Sequence, residues 1–180
     1  RVVGPVDRFY HPPLEMRWTY YGEINRDHAF ATRMRINAVT DDPRFGERSR
    51  QRLINHTLLG QIPSSKYGKE HPEYFALRDG KRLAQVENDA FGSEPCLTNP
   101  DVLRIVTEAV LKEIEPNPKN VANVSVSQND NALYCQCPNC AAIDEREGTP
   151  MGSLLTFVNS VADAVAARYP HVKVGTLSYW

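Results

Sequence analysis

The length, composition and charge of the chain exclude several classes of protein. It has 180 residues, of which 41% are hydrophobic and 24% are charged, and its formal net charge is −1. These values are typical of one globular domain with a sizeable core. The sequence also contains no charged tract typical of nucleic-acid binding. Every apolar run is too short to span a bilayer.

The first third of the chain predicts strands and one short helix. Strands are predicted over residues 14–21, 36–39 and 53–62, and a helix with an apolar side over residues 27–35. A long inserted loop, residues 63–98, follows. Within it, Asp79-Gly80 lies between two strand-like runs, which predicts a β-hairpin with a type I′ turn.

The second half alternates between helices and strands. Asn99-Pro100-Asp101 is a helix start, with a capping side chain, a proline at the first position and an acid in the first turn. A strand over residues 121–127 follows, with apolar and small polar residues alternating, so that one face is expected to pack on helices and the other to be wetter. A helix from about Pro150 to Pro170 and a strand over residues 172–179 complete the pattern. This alternation predicts a parallel sheet with right-handed crossovers.

Polar residues follow the central strand directly. In parallel α/β proteins, catalytic and ligand-binding residues lie at the carboxyl ends of the strands. Asp130 follows the carboxyl end of the central predicted strand. Asp130 is therefore the first candidate for a functional residue. The alternative is that Asn129-Asp130-Asn131 only forms a turn, which these residues favour.

The four cysteines, Cys96, Cys135, Cys137 and Cys140, predict a metal site. Cys137-x-x-Cys140 has the spacing of a zinc knuckle, and Cys135 adds a third nearby sulfur. Cys96 precedes the helix that leads into the central strand. In a parallel sheet it is therefore expected at the same edge as the end of that strand, which the other three cysteines follow. Together they would form a tetrahedral structural zinc site without an open position. A disulfide from Cys96 to one of the other three, or four free thiols, are the alternatives.

Several ordered blocks of the sequence resemble a bacterial family, the domain of unknown function DUF4838. The resemblance extends from about Leu14 onward and rests on residues 71–77, 79–82, 96–100, 126–130, 152–155, 157–159 and 177–179, with the three later cysteines. It implies a glycosidase-like (β/α)₈ TIM-type barrel related to α-glucuronidases and the hexosaminidase clan. Residues 1–180 would form a single partial domain, the first half to five-eighths of that barrel, with Trp180 near the fifth strand.

The resemblance also implies a glycoside hydrolase that acts on a polysaccharide or a uronic-acid-containing glycan. Members of the family are usually long, secreted bacterial proteins, so we expect a secreted or periplasmic protein. Because the chain begins at Arg1 and ends after a strand-like run, we expect it to be a piece whose partner is the rest of its own barrel.

With this resemblance, Asp130 becomes the candidate general acid or base, since glycoside cleavage commonly uses two carboxyl groups. Asn129 would hydrogen-bond a sugar hydroxyl or orient the carboxylate. The second carboxyl group is open: Glu23, Glu73 and Glu94 are candidates by position, and it could also lie beyond Trp180.

Four further residues are candidates for substrate binding. His56 would point into the barrel, or be a core histidine. Arg17 would hold a sugar carboxylate, or form a structural ion pair. Tyr179 and Trp180 would stack on a sugar ring, or belong to the core. The alternative for the whole chain is a non-catalytic carbohydrate-binding or scaffold domain with a structural Cys₄ zinc site.

Overall fold

The computed structural model describes residues 4–7, 13–14, 16–40, 42–45, 54–84 and 93–177. The chain divides into two compact units, residues 1–51 and 52–180. No helix within the described ranges is long and apolar enough to cross a membrane.

The first unit contains two short helices, α1 (Gly22–Arg26) and α2 (His28–Arg33), and a 3₁₀ turn at Pro43–Phe45. Asp27 caps α2 by accepting a hydrogen bond from the Phe30 N–H, which confirms a helix in this region.

The strands predicted over residues 14–21 and 36–39 are wrong, because the described residues there form no strand. Arg17 and Asn37 do meet: the Asn37 N–H donates to the Arg17 carbonyl, but the Arg17 N–H donates to the Asn37 side chain. The side-chain amide takes the position of a backbone acceptor, and the pairing does not continue into a ladder.

The second unit contains five helices and four short strands within its described residues. They are α3 (Leu58–Gln61), α4 (Ser64–Tyr67), β1 (Leu77–Arg78), β2 (Lys81–Arg82), α5 (Pro100–Ile114), β3 (Asn123–Ser125), α6 (Pro138–Glu147), α7 (Met151–Arg168) and β4 (Lys173–Gly175). Two 3₁₀ turns, Pro72–Tyr74 and Pro118–Asn120, precede β1 and β3.

The predicted hairpin is confirmed. β1 and β2 pair antiparallel, with Leu77 opposite Arg82. Asp79 and Gly80 between them both have positive φ, 46° and 74°, as a type I′ turn requires.

The predicted parallel pairing is confirmed for β3 and β4, which lie side by side with Val124 opposite Val174. The chain between them forms α6 and α7, and only α7 was predicted. The described strands make two separate two-stranded sheets, so the closed or partial barrel stays a prediction.

The strand predicted over residues 53–62 is wrong in its described part. Residues 54–57 run beside β3, but hydroxyl groups make several of the connecting bonds: Thr57 Oγ1 donates to the Ser125 carbonyl and accepts from the Ser127 N–H. The backbone then turns into α3, with the N–H groups of Thr57 and Leu58 both donating to the Ser127 carbonyl.

The core forms where α5 and α7 pack with β3 and β4. Val102, Val106, Val110 and Ile114 make a fully buried stripe along α5. Each such side chain contributes about 1.5–3 kcal/mol to folding. The predicted wet face of the central strand is wrong, because Ser125 and Ser127, 8% and 0% exposed, are buried like the neighbouring Val124 and Val126.

Candidate metal centre

The four cysteines converge in one buried cluster, here called the thiol cluster (Cys96, Cys135, Cys137 and Cys140). All are at most 5% exposed, and their sulfur atoms lie within 4.8 Å of one another. The Sγ atoms of Cys96 and Cys137 are 3.6 Å apart. A tetrahedral ion with metal–sulfur bonds of about 2.3 Å holds its sulfurs roughly 3.8 Å apart, so the cluster has the dimensions of a metal site.

Two segments of the chain bring these sulfurs together. Cys96 is held by its N–H, which donates to the Tyr74 carbonyl at 2.7 Å, next to an isolated bridge between Phe75 and Pro95. Cys137 is the residue before α6, and Pro138 starts that helix. Cys140 therefore falls in the first helical turn, three residues after Cys137, where their side chains lie on one side.

Neighbouring donors point at the sulfurs. The N–H groups of Leu77 and Cys137 donate to Cys135 Sγ at 3.3 and 3.4 Å. The Thr98 hydroxyl lies 3.2 Å from Cys140 Sγ and 3.6 Å from Cys137 Sγ. Hydrogen bonds of this kind stabilise thiolates, which are the metal-binding form of cysteine.

A cationic side chain also reaches the cluster. Arg82 on β2 lines one cleft together with Cys96, Thr98 and Cys137, and its Nη1 donates to the Phe75 carbonyl at 2.7 Å. Burial alone would lower the pKa of Arg82, but the nearby sulfurs of Cys96, Cys135 and Cys137 outweigh burial and raise that pKa.

The sulfurs control one another's ionisation. Hydrogen bonds with Cys135 and Cys140 hold the pKa of Cys96 far below its usual range, and contacts with Cys135 and Cys96 raise that of Cys140. The hydrogen bond with Cys140 lowers the pKa of Cys135, but the bond with Cys96 and burial raise it more, to about 11. A thiolate at Cys96 opposes the ionisation of Cys135 and Cys140, and a cation bound among the sulfurs would relieve that repulsion.

All four cysteines are free thiols in this structure. The arrangement can hold a metal ion with four sulfur ligands, as the sequence predicts. Because four thiolates complete a tetrahedral shell, no position is left for a catalytic water.

Asp130 and His56, predicted separately, lie close to each other just after β3. His56 Nε2 is 3.9 Å from Asp130 Oδ1, and about half of the Asp130 side chain is exposed. His56 Nδ1 lies 2.6 Å from the Gln128 carbonyl, so Nδ1 carries a proton and donates. The catalytic role of Asp130 and the substrate-binding role of His56 stay predictions.

Asn129 differs from its neighbour, because it is only 2% exposed and fully engaged. Its Oδ1 accepts from the Leu59 N–H at 2.8 Å, and its Nδ2 donates to the Ser93 carbonyl at 2.7 Å. Its own N–H donates to Glu94 Oε1 at 2.8 Å. This geometry gives Asn129 a structural role, and its predicted sugar contact stays a prediction.

The three candidates for the second carboxyl group lie in different surroundings. Glu94 is 5% exposed, and burial raises its pKa to about 7 although the Asn129 N–H partly offsets this. Glu73 is exposed and pairs with His71 at 3.1 Å. Glu23 lies in the first turn of α1, in the other unit.

The remaining predicted substrate-binding residues lie in the first unit or outside the described residues. The guanidinium of Arg17 donates to the carbonyls of Leu14 and Arg35 within the first unit. Tyr179 and Trp180 lie outside the described residues.

Comparison with protein families gives a match over almost the whole chain. The sequence profile of the domain of unknown function DUF4838 matches residues 2–180. The chain belongs to this family. Searches of curated proteins and of solved structures returned no significant match.

Sequence reasoning missed two contributors to the thiol cluster of this DUF4838 domain, Thr98 and Arg82. Thr98 lies two residues after Cys96, which was a usable signal. Arg82 reaches the cluster only because β2 pairs with β1, and no local pattern announces that contact.

Proposed function

We propose that the thiol cluster is a structural zinc site that joins the segment before α5 to the start of α6. The observation that carries this proposal is the set of four buried sulfurs within 4.8 Å of one another. Zinc is a common metal in tetrahedral S₄ sites, the other being iron. The site would act as a staple between chain segments about 40 residues apart, whose sulfurs lie 3.6 Å apart at Cys96 and Cys137.

Elemental analysis of the purified chain tests this proposal. We expect one zinc per chain in the wild type and less than one-tenth of that in Cys140→Ser. Replacement by Co²⁺ should give the intense thiolate charge-transfer absorption of a tetrahedral S₄ site. The matched control is Ser160→Ala, a partly buried position of α7 remote from any cysteine in sequence, which should retain full zinc. One iron per chain would correct the metal, and a metal-free, folded wild type with four reactive thiols would exclude the site.

A second candidate is the glycoside hydrolase that the resemblance implies, with Asp130 as general acid or base in the complete barrel. What favours it is the position of the Asp130 carboxylate, half-exposed after β3 of a parallel pair and 3.9 Å from His56 Nε2. The barrel, the carbohydrate substrate and secretion from the cell belong to this proposal.

The test incubates the intact protein with a panel of neutral and uronic-acid-containing glycans. Hydrolysis is measured as the release of reducing ends. We expect Asp130→Asn to lower kcat at least 1,000-fold, within the range seen when catalytic groups are removed, and to leave folding unchanged. The matched control is Asp101→Asn, an exposed acid in the first turn of α5. An unchanged kcat in Asp130→Asn would exclude this role for Asp130.

A further inference from the structure

The β1–β2 hairpin touches the thiol cluster at one cross-strand pair. Leu77 and Arg82 lie opposite each other in the register of the two strands. The Leu77 N–H donates to Cys135 Sγ, and the Arg82 side chain lies beside Cys96 on one cleft. The two-residue turn thus places a backbone donor and a guanidinium next to two different sulfurs.

The position of Arg82 is fixed by a hydrogen bond to the backbone. Its Nη1 donates to the Phe75 carbonyl at 2.7 Å, and the residue is partly buried. Arg82 also lines a cleft together with Cys96, Thr98 and Cys137, so the guanidinium lies on the open side of the cluster. Other cations of the hairpin do not share this place: Arg78 donates to the carbonyls of Ala132 and Tyr134, and Lys81 is exposed.

The position of the Arg82 guanidinium matters because a metal-loaded thiol cluster is negatively charged. A divalent ion with four thiolates carries a net charge of −2, which is costly in a buried site. One adjacent guanidinium halves that charge, and a positive charge beside a sulfur favours its ionised form.

We propose that Arg82 is a positioning and charge-balancing residue of the metal centre, held by the hairpin against Cys96 so that the site binds a divalent thiophilic cation tightly. This inference rests on the proposed zinc site. Arg82 lies beside the ligands and is not one of them. Its removal weakens metal binding without removing a ligand, typically by 10- to 100-fold for such outer contacts.

The experiment compares metal affinity in four chains: wild type, Arg82→Met, Arg82→Lys and Lys81→Met. Zinc affinity is measured by competition with a chromogenic chelator, and the charge-transfer band of the Co²⁺-loaded chains is recorded. Arg82→Met should bind zinc 10- to 100-fold more weakly and shift the Co²⁺ band, because the thiolates lose the neighbouring positive charge. Arg82→Lys should recover most of the affinity, since it keeps the charge. Lys81→Met, which removes the same charge from the neighbouring exposed position, should match the wild type.

The outcomes separate the two proposals. A wild type that takes up neither zinc nor cobalt overturns the metal site and this inference with it. A wild type that binds metal, with Arg82→Met equal to Lys81→Met in affinity and spectrum, overturns the role of Arg82 alone. If Arg82→Met does not fold in excess zinc, Arg82→Gln replaces it, and a Lys variant that binds no better than the Gln variant overturns the inference.

Discussion

The thiol cluster and the carboxylate after β3 lie in the same unit but differ in what their geometry requires. The cluster gathers four buried sulfurs within 4.8 Å, with backbone and hydroxyl donors and a guanidinium around it. Asp130 is half-exposed, with its carboxylate 3.9 Å from a histidine nitrogen. Four thiolates packed together in the interior would need a counter-ion, whereas a solvated carboxylate is stable without any ligand. The buried sulfurs therefore indicate metal binding in the first region. The exposed carboxylate of Asp130 indicates only where a functional site could lie in the second.

A short segment connects the two regions. The carbonyl of Ser93 and the side chain of Glu94 hold Asn129, and Cys96 follows two residues later. The Glu94 carbonyl also accepts from the Ala76 N–H, beside the hairpin. Changes along this segment can therefore be used to compare the two regions.

The largest expected effect is that of metal removal. Because the four sulfurs come together only in the folded chain, chelation should lower the free energy of unfolding by up to about 4 kcal/mol at free metal concentrations 1,000-fold above Kd. Thermal unfolding followed by circular dichroism, with and without chelator, measures this loss. In Cys140→Ser the chelator should have no further effect. If the chelator does not change the unfolding temperature of the wild type, the thiol cluster does not hold a stabilising metal. The two regions would then not differ in their need for a ligand.

The next effect separates two neighbouring residues after β3. Asn129→Ala leaves the buried Leu59 N–H and Ser93 carbonyl without their partners, so it should lower the free energy of unfolding by about 2–4 kcal/mol. Asp130→Asn, the matched control at an exposed position, should change it by less than about 0.5 kcal/mol. Urea titrations of both variants provide the measurement. Equal losses would show that Asp130 is as firmly built into the fold as Asn129.

A smaller effect concerns the pH dependence of stability. The pKa of Glu94 is about 7 in the folded chain, above its ordinary value of 4.5. The folded state therefore binds the proton more tightly, and stability falls as pH rises from about 4.5 through 7. Glu94→Gln removes this loss, so the variant should gain up to about 3 kcal/mol on the wild type between pH 4.5 and 8.

This comparison is best made with both chains loaded with metal, so that the pH dependence of the thiolates cancels. The exposed Glu73→Gln serves as control and should show no such gain. A constant difference between Glu94→Gln and wild type across this pH range would contradict the raised pKa.

The smallest effect tests the hairpin that supplies a donor to the cluster. Gly80 has a φ of 74°, so Gly80→Ala strains the turn and should cost about 1 kcal/mol. Gly60→Ala in α3 has no atom within 4 Å of the added methyl group and should stabilise by up to about 1 kcal/mol. Calorimetric unfolding of both variants gives the two signs. A Gly80→Ala variant at least as stable as the wild type would mean that the turn does not depend on its glycine.

Signals carried by adjacent residues were predictable from the sequence. Asn99-Pro100 fixed the start of α5, Asp79-Gly80 fixed the turn, and the spacing of the cysteines indicated a metal site. These features depend on capping, on φ preferences and on ligand spacing, all of which act within a few residues. The sequence does not predict α6, because this helix is rich in charged residues and has no apolar stripe. Pro138 and Gly148 nevertheless mark its two ends.

The surroundings of each site were decided by tertiary structure. Leu77 reaches Cys135 across 58 positions of sequence, Arg82 reaches Cys96 through strand pairing, and Glu94 is buried against Asn129. Likewise, residues 14–21 have the composition of a strand, but a side-chain amide takes the place of a ladder bond there. A sequence determines which groups are present and how the nearby backbone turns; which groups end up buried together, and hence their charge state, depends on contacts between distant segments.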